Sequence, residues 1–588
     1  MALFSPSESP AVVVKEIDLT GGVPNVQSTT GAIVGNFRWG PADKRTLIAN
    51  ETELVEKFAA PDSDTTIDFH SASYFLRYSS ALQVVRAIDG NADNAISISS
   101  DSAGATLSAA VVKNEDDFAS QASTLTAAGH TFIGRYPGAL GNDLQVQMCH
   151  ANSTAYDAWT YKNEFDAVPA TSNYLTKKNG TNDEVHTVVI DKDGKFTGTK
   201  GTVLERYSFL SLAKDAKAED GTSIYVKDVI NERSEYVHMA GFDSAVVANI
   251  TTAGRVALDS GDNFLSTGSG LFNRHFTFNF SGGSNCNALT TTEFLSGFDL
   301  FEDKDQVEID FLIAPGMTST ADQTTVVNDL IGTAQNTRKD CVVVTSPARD
   351  DVVNLTNAST IVTNVVATAD TFTKSSYLFN DGNYLKTYDK FNDQFIFIPA
   401  ASSTAGLMAA TDLNRAAWFS PAGSRRGQYL GITALAYTPT KGQRDTLYKA
   451  SVNPIANIPG AGVILFGDKT GLRRASAFDR INVRRLFLIL ERAISRAAEQ
   501  VLFEFNDEFT RAEFVNIIEP VLREVKGRRG ITDFRVVADA TNNTAAVIDR
   551  NEFKADIFIK PARSINYVTL NFVAVRTGVD FQEVVGTV

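Results

Sequence analysis

Residues 462–471, GVILFGDKTG, are close in type and spacing to a phosphate-binding loop. In such a loop, G-x-x-x-x-G-K-[ST], backbone N–H groups surround an anion and the lysine reaches the outer phosphates. Here Asp468 stands between Gly467 and Lys469, which displaces the lysine by one position and puts a carboxylate where phosphate would bind. The four residues between the two glycines are large and apolar, so we expect a buried strand that runs into a turn and no nucleotide site.

Two other short motifs contain residues that can bind ions. SPAGSRRGQ (420–428) puts Arg425 and Arg426 beside glycines, which suits a phosphate but is more typical of a subunit contact or a solvated turn. DKDG (191–194) has the acids and the glycine of a calcium loop, yet placing Gly194 at the sixth loop position puts Val189 at the first ligand position. Valine has no side-chain oxygen, so we predict a hairpin turn there.

Histidine and cysteine patterns argue against catalysis and metal binding. All six histidines lie in the first half of the chain, and none belongs to an H-x-H or H-E-x-x-H pattern. They are His70, His130, His150, His186, His238 and His275. The three cysteines, Cys149, Cys286 and Cys341, are too few and too scattered for a disulfide framework or a cysteine-based zinc site. The sequence therefore predicts no catalytic residue, no cofactor and no metal; a phosphate-handling hydrolase using Lys469 and Arg425 is the alternative.

Composition indicates an ordinary globular protein. The 588 residues are 43% apolar and 21% charged, and the length suits about 3–5 domains. No apolar run approaches the ~20 residues that span a bilayer, and the first residues, MALFSPSESPAVVV, lack the pattern of a signal peptide.

Charge is unevenly distributed along the chain. The net charge of −15 argues against a surface that binds nucleic acid throughout. Residues 441–588 nevertheless carry 22 basic and 18 acidic residues, a net charge of +4 against −19 for the rest. An acidic partner facing this quarter and ordinary variation between domains both fit this pattern.

The order of predicted elements indicates an α+β multidomain chain. Residues 1–23 are predicted as an extended N-terminal arm. Residues 24–92 and 281–439 alternate strands and helices, as in GAIVGNFRWGPA, NETELVEKF and DCVVVTSPAR, and are predicted to form an α/β core. Residues 93–280 are predicted as a mainly β insertion in that core. Residues 440–588 are predicted as a C-terminal α+β domain that ends in a strand-like arm, VDFQEVV.

A long helix is predicted over 479–505, followed by a second over 510–525. The helical spacing assigns its buried face to Val483, Leu486, Phe487, Leu490, Ile494, Ala497 and Val501. The segment from position 473 to 496 contains seven arginines and only two acidic residues, Asp479 and Glu491, which gives it a local net charge of +5. Part of this basic surface, or KGRR (526–529), could point to an acidic partner. Ion pairs within the chain are the equally weighted alternative.

Ten segments, in this order, resemble those of the tail sheath proteins of contractile-tailed (myovirus-type) bacteriophages. They are SPAVVVKE (9–16), GNFRWGPA (35–42), IGRYPGALGNDLQV (133–146), DGNYLKTYDKFND (381–393), AGLMAATD (405–412), SPAGSRRGQ (420–428), VNPIANIPGAGVILFGDKT (452–470), FDRINVRRLF (478–487), ATNNTAAVIDRNEF (540–553) and IKPARSINYVTLNFVAVRTG (559–578). The resemblance covers nearly the whole chain and is weakest across 93–280. In this family FGDKTG stands at a strand end and binds no nucleotide.

The resemblance implies a structural subunit that is not an enzyme. Such subunits polymerise as stacked hexameric rings around a tail tube in a metastable extended state, then contract and drive the tube through the host cell envelope for genome ejection. The implied partners are other copies, the tail tube protein, the baseplate and tail terminator or neck proteins, with no nucleic acid and no direct membrane insertion. The implied location is the virion, after assembly in the host cytoplasm. A phage-tail-derived bacterial contractile injection system is the alternative setting.

Under this resemblance the insertion lies outside and the C-terminal domain faces the tube, and two sets of residues are predicted to make assembly contacts. Extended arms can add strands to neighbouring subunits through backbone hydrogen bonds. The predicted linking-arm residues are Val12, Val13, Val14, Lys15, Glu16, Ile17, Phe581, Gln582, Glu583, Val584 and Val585. The candidate tube-facing or subunit-contact basic residues are Arg484, Arg485, Arg492, Arg496, Lys526, Arg528 and Arg529.

Overall fold

The structure is a computed structural model that describes residues 29–99, 109–128, 130–151, 153–178, 181–241, 276–285 and 289–566. The described residues form two compact bodies. The larger body contains residues 29–417 and 421–492, and the smaller body contains residues 418–420 and 493–566. The predicted linking-arm residues, 12–17 and 581–585, lie outside the described residues.

The described strands are numbered in chain order. They are β1 (Gly31–Gly35), β2 (Thr46–Ile48), β3 (Leu82–Arg86), β4 (Asn94–Ser99), β5 (Phe132–Pro137), β6 (Leu144–His150), β7 (Glu184–Asp191), β8 (Thr202–Ser211), β9 (Val237–Met239), β10 (Phe276–Ser281), β11 (Phe311–Ile313), β12 (Val342–Thr345), β13 (Leu378–Asn380), β14 (Tyr384–Asp389), β15 (Gln394–Pro399), β16 (Ala434–Leu435), β17 (Ile455–Ile458), β18 (Gly462–Leu465), β19 (Ile531–Val537) and β20 (Asp556–Pro561).

The described α-helices are numbered in the same way. They are α1 (Glu51–Phe58), α2 (Thr66–Leu76), α3 (Glu115–Ala127), α4 (Ser153–Asp157), α5 (Asn173–Thr176), α6 (Val226–Arg233), α7 (Thr291–Asp299), α8 (Thr320–Gly332), α9 (Ala358–Thr371), α10 (Ala401–Asn414), α11 (Lys441–Lys449), α12 (Ile481–Glu499), α13 (Glu508–Gly527) and α14 (Ala545–Ile548). A π-helical turn, Thr333–Arg338, extends α8.

A mainly parallel sheet lies at the centre of the larger body. Its spatial order is β13-β12-β11-β1-β3-β2, and every neighbouring pair is parallel except β2 with β3. Strands β1, GAIVG, and β12, VVVT, are buried along their whole length. Continuous apolar runs of this kind are what a strand covered on both faces requires.

Helices cover both faces of this sheet. Successive strand residues point to opposite faces, so Ile33 joins a core with residues of α2 and α10, while Val34 joins a second core with residues of α7 and α8. Gly297 allows α7 to lie close to β1, because a Cβ at this position would come within 2.5 Å of Val34 Cγ1. The mixture of helices and several sheets agrees with the predicted α+β class.

A seven-stranded antiparallel sheet occupies the sequence between β3 and β11. Its spatial order is β8-β7-β6-β10-β4-β5-β9. One face is filled by apolar side chains, among them Phe132, Val146 and Phe278. The DKDG segment lies in the connection between β7 and β8, where Asp191 Oδ1 accepts a hydrogen bond from Gly194 N at 3.0 Å, which confirms the predicted hairpin turn.

Arg86 connects the two sheets of the larger body. It ends β3 and is only 1% exposed. Its guanidinium donates to the carbonyl oxygens of Phe37 at 2.7 Å and Gly40 at 2.9 Å, which belong to the GNFRWGPA segment. It also donates to the carbonyl oxygen of Pro137, at the end of β5, at 2.7 Å. Hydrogen bonds from a charged donor are among the stronger ones in proteins, so this side chain holds the parallel sheet and the insertion together.

A buried polar network lies at the carboxyl ends of β12 and β13. The Asp381 carboxylate accepts hydrogen bonds from Ser346 Oγ at 2.8 Å and Thr404 Oγ1 at 3.0 Å. Ser346 Oγ accepts in turn from Ala401 N at 2.9 Å, which attaches the start of α10 to the sheet. Burial raises the pKa of Asp381 to about 7 from an ordinary value of 3.8. The Asp381 carboxyl group therefore binds its proton more tightly in the folded chain than in the unfolded chain.

The smaller body is built on α13 and the β19–β20 hairpin. Asp507 caps the helix by accepting a hydrogen bond from Thr510 N at 2.8 Å. The buried face of the helix consists of Phe514, Ile518, Leu522 and Val525. Trp418 lies in this body, where its Nε1 donates to the Arg528 carbonyl oxygen at 3.1 Å.

We expect Gly297→Ala to destabilise the protein by about 1–3 kcal/mol, because the added methyl group forces α7 away from Val34. Gly332→Ala is the matched control, since Gly332 is also helical and a Cβ there has no neighbour within 4 Å. The control should be neutral or stabilising, because alanine favours a helix over glycine. Urea unfolding measures both free energies, and equal effects of the two changes would contradict the close packing.

We expect the stability of Asp381→Asn relative to the wild type to depend on pH. A folded pKa above the unfolded one means that the wild type loses stability as pH rises from about 4 to about 7. Asparagine does not titrate. The free energy of unfolding of the variant, relative to that of the wild type, should therefore rise by up to roughly 3 kcal/mol between pH 5 and pH 8. Urea unfolding at the two pH values measures this difference, and a constant difference would contradict the burial argument.

Candidate assembly surfaces

The GDKT turn after β18 is a closed structural turn. Lys469 Nζ donates to the Tyr448 carbonyl oxygen at 2.7 Å and lies 4.1 Å from the centre of the Tyr448 ring. Asn453 brackets the lysine backbone with two hydrogen bonds of 2.8 Å, one to its N–H and one to its carbonyl oxygen. Burial, together with the nearby Arg480, lowers the pKa of Lys469. The strand and turn predicted from the sequence are confirmed by the pairing of β17 with β18.

The SPAGSRRGQ segment folds against the end of β18. Gly423 N donates to the Leu465 carbonyl oxygen at 2.9 Å, and Leu465 N donates to the Gly427 carbonyl oxygen at 2.8 Å. The turn between these glycines therefore lies beside Phe466, the next residue of the chain. Arg425 is exposed, and burial together with Arg415 and Arg425 lowers the pKa of Arg426.

Phe466 is an exposed aromatic residue with arginines around it. It is 50% exposed, and the Arg444 guanidinium lies 5.5 Å from the centre of its ring. Arg425 and Arg426 stand on the adjacent turn. We call Arg425, Arg426, Arg444 and Phe466 the arginine platform. Basic side chains on the same part of the fold as an exposed aromatic ring suit an acidic and partly apolar partner.

Two of the candidate basic residues on α12 are buried within the larger body. Arg484 is 5% exposed, lies over the rings of Tyr377 and Phe478 at 4.5 and 4.7 Å, and pairs with Glu491 at 3.4 Å. Arg485 is 2% exposed and donates to the Met408 carbonyl oxygen at 2.8 Å. Both guanidinium groups contact groups of the same chain, although the buried Arg484 Nε has no hydrogen-bond partner among the described residues.

Arg492 is also committed to partners within the larger body. Its guanidinium binds Asp310 at 2.7 Å and donates to the Asp340 carbonyl oxygen at 3.1 Å. Arg484 and Arg492 thus form ion pairs within the chain, whereas Arg485 donates to a backbone carbonyl oxygen. Contact of these residues with a tube stays a prediction.

The remaining candidate basic residues belong to the smaller body. Arg496 is half-buried, whereas Lys526, Arg528 and Arg529 are exposed. Lys526 pairs with Asp533 at 3.1 Å, and Arg528 pairs with Glu524 at 3.4 Å. Arg529 has a left-handed backbone, φ 67°, and its side chain forms no ion pair within the described part of the chain.

A loop between α12 and α13 exposes aromatic residues that the sequence analysis did not single out. The helix predicted to reach Phe505 ends at Glu499. The exposed fractions that follow are 61% for Leu502, 105% for Phe503, 85% for Phe505 and 76% for Phe509. We call residues 499–509 the acidic aromatic loop, because the same segment carries Glu499, Glu504, Asp507 and Glu508. The alternation of phenylalanines with acids in FEFNDEF was the available signal.

The described histidines and cysteines have structural surroundings. His70, His130, His150, His186 and His238 are at most 3% exposed, and Cys149 and Cys341 are buried. Burial lowers the pKa of His186 and His238. Within the described ranges no group of three or more acids, histidines and cysteines could hold a metal ion. In the same ranges, no helix is long and apolar enough to cross a membrane.

Family models match two adjoining parts of the chain. The model for the phage tail sheath protein central domain matches residues 287–471, and the model for the phage tail sheath C-terminal domain matches residues 474–574. The first match contains the arginine platform, and the second contains the acidic aromatic loop.

Similarity also extends over full-length proteins and solved structures. The chain is 32% identical to the tail sheath protein of Vibrio phage KVP40, with 98% of this chain and 99% of that protein covered. It is 32% identical to the tail sheath protein of Enterobacteria phage T4, with the same shares covered. The crystal structure of a sheath tail protein from Listeria innocua is similar at a TM-score of 0.51 and 10% identity, covering 92% of this chain and 96% of that one. A second, from Desulfitobacterium hafniense, has a TM-score of 0.50 and 12% identity, covering 90% and 94%.

The two solved structures share the fold with this chain, and the full-length relatives identify its family. The 32% identity between this chain and each of the two phage proteins extends over nearly the whole length of the chains compared. This relationship gives the chain the structural, non-enzymatic role that was expected, and it excludes the alternative of a phosphate-handling hydrolase. The chain belongs to the phage tail sheath protein family and is a subunit of a contractile sheath.

Proposed function

We propose that the chain polymerises as stacked hexameric rings around a tail tube and is held there in a metastable extended state. A signal from the baseplate releases the sheath, which contracts and drives the tube through the host cell envelope for genome ejection. The observation that carries this proposal is the 32% identity to phage tail sheath proteins over 98% of the chain. Energy is stored during assembly, so contraction consumes no nucleotide.

The proposed partners are other copies of the chain, the tail tube protein, the baseplate and tail terminator or neck proteins. Nucleic acid and the membrane are not direct partners. The protein is a virion component, assembled in the host cytoplasm. The commitment of Lys469 to the Tyr448 carbonyl oxygen supports this proposal, because a turn closed in this way leaves the lysine engaged by the chain itself.

We assign a separate role in the sheath to each of the four predicted parts of the chain. Residues 1–23 and the C-terminal strand link subunits, and residues 24–92 with 281–439 form the middle domain. Residues 93–280 form the outer domain, and residues 440–588 form the inner domain that faces the tube. The antiparallel sheet between β3 and β11 supports an insertion that is structurally separate from the parallel sheet.

Deletion of residues 1–22 tests the linking arms. Each backbone hydrogen bond of an added strand contributes about 0.5–1.5 kcal/mol, so an arm with several bonds contributes several kcal/mol to subunit linkage before ordering costs. The full chain should sediment with isolated tail tubes as long striated polymers. The shortened chain should give monomers or separate rings.

Two results of this experiment would contradict different parts of the proposal. Equal polymers from both chains would remove the linking role of the arm and keep the sheath function. Absence of polymers from the full chain, with and without tubes, would contradict the sheath function itself.

Arg529→Glu tests whether the smaller body faces an acidic tube. Arg529 is exposed and makes no ion pair in the described part of the chain, so reversal of its charge should leave folding unchanged. An exposed charge contact is worth at most about 1 kcal/mol, which repeated in every subunit should weaken co-sedimentation with tubes several-fold. Arg233→Glu, an exposed arginine at the end of α6, is the matched control and should behave as the wild type. Equal binding by both variants would contradict a tube contact at Arg529.

A further inference from the structure

The acidic aromatic loop presents its apolar side chains to solvent from a fixed base. Asn506 Nδ2 donates to the Glu552 carbonyl oxygen at 2.8 Å, and Arg511 donates to Asn506 Oδ1 at 2.8 Å. Phe503, fully exposed, has a left-handed backbone with φ 70°, a conformation that side chains other than glycine, asparagine and aspartate rarely adopt. Exposed, clustered phenylalanines on an anchored loop are typical of an interaction surface.

The exposed charged side chains of the loop are all negative, and Arg511, which follows the loop, is half-buried and donates to Asn506. Residues 497–510 contain four acidic residues and no basic residue. Glu499, Glu504 and Glu508 are exposed and form no ion pair within the described part of the chain. A partner must therefore offer an apolar surface with a basic rim, since like charges directly opposed across an interface disfavour association. An acidic tube surface would not meet this requirement.

The arginine platform has the opposite character. Residues 413–445 contain five basic residues and one acidic residue, the exposed Asp445. Arg425 and Arg426 stand on the turn beside Phe466, and Arg444 lies 5.5 Å from the centre of the Phe466 ring. Arginine beside an exposed aromatic ring can both pair with a carboxylate and stack on an incoming ring.

We propose that the acidic aromatic loop of one copy docks on the arginine platform of a second copy. The two surfaces differ in residues, so the contact is heterologous, and repetition of a heterologous contact produces closed rings or an open helix. The proposal rests on the proposed function, because it assigns one of the contacts through which the sheath would polymerise. It is separate from strand exchange by the arms.

Charge reversal of each surface tests the pairing. The first variant is Glu504→Lys with Glu508→Lys, and the second is Arg425→Glu with Arg426→Glu. Each variant alone would place like charges on both sides of the contact, so the concentration needed for polymerisation should rise by at least about tenfold. An equimolar mixture of the two should polymerise like the wild type, because opposite charges meet at every contact when the two variants alternate. A contact within one chain could not be restored by mixing.

A third variant controls for total charge. Glu219→Lys with Glu302→Lys makes the same change in net charge at exposed sites of the larger body. It should polymerise as the wild type and should not restore the first variant on mixing. Phe503→Asn tests the apolar part of the contact. Asparagine tolerates the left-handed backbone, so the variant should unfold at or above the wild-type urea midpoint and still polymerise poorly.

The outcomes separate this contact from the function on which it rests. Polymerisation of both charge variants at the wild-type concentration would overturn the pairing and leave the sheath function intact. If each variant alone failed to polymerise and the mixture failed as well, the pairing of loop and platform would also be overturned. If the wild type itself failed to polymerise, the sheath function would fail. Sedimentation of the mixture against each variant alone would then decide the pairwise contact, since mixed dimers support it and monomers overturn it.

Discussion

The larger body depends on a buried guanidinium that binds backbone carbonyl oxygens from two separate segments of the chain. Arg86 ends a central strand of the parallel sheet, and its donors reach the carbonyls of Phe37, Gly40 and Pro137. A buried donor left without an acceptor costs several kcal/mol, so these loops have to meet at this point. The chain can thereby leave the parallel sheet after β3, build a separate antiparallel sheet and return for β11 without loosening the core. The GNFRWGPA segment supplies three of the four acceptors, the carbonyl oxygens of Phe37, Arg38 and Gly40.

The parallel sheet was predictable from the sequence because its strands are short and mainly apolar runs. The runs around β1, β3, β11 and β12 alternate with helical patterns, which is sufficient to indicate strand–helix–strand units. The register and the order β13-β12-β11-β1-β3-β2 required the structure. Local sequence also gave the wrong end for α12, which stops at Glu499 and not at Phe505. Apolar periodicity continues to Val501, but from Gln500 onward the backbone forms i→i−3 turns and no longer continues the α-helix.

The surroundings of the candidate contact residues could not be predicted from neighbouring residues in the sequence. Seven arginines between 473 and 496 look like one basic surface in the sequence, yet Arg492 binds Asp310, which is 182 residues away in the chain. No local pattern contains that information, so burial of the charge could not be predicted. The GDKT turn was interpreted correctly, because the apolar residues before it and the displaced lysine are both local features. The domain boundaries and the arm contacts stay predictions.

Opposite charges on two exposed aromatic surfaces give the chain a means of assembly that needs no bound ligand. The acidic aromatic loop and the arginine platform belong to different bodies, each anchored by its own hydrogen bonds. Charged rims orient the partners, and the aromatic side chains supply the apolar area that is removed from water. Under the proposed function, contacts of this kind are exchanged one for another during contraction while the proposed linking arms keep the subunits connected.

Electron microscopy of the purified full-length chain, incubated with and without isolated tail tubes, tests the central claim most directly. The account predicts hollow striated polymers built from six-fold rings, in an extended form on tubes or a shorter and wider form without them. A single small particle under both conditions would contradict the assignment of this chain as a sheath subunit.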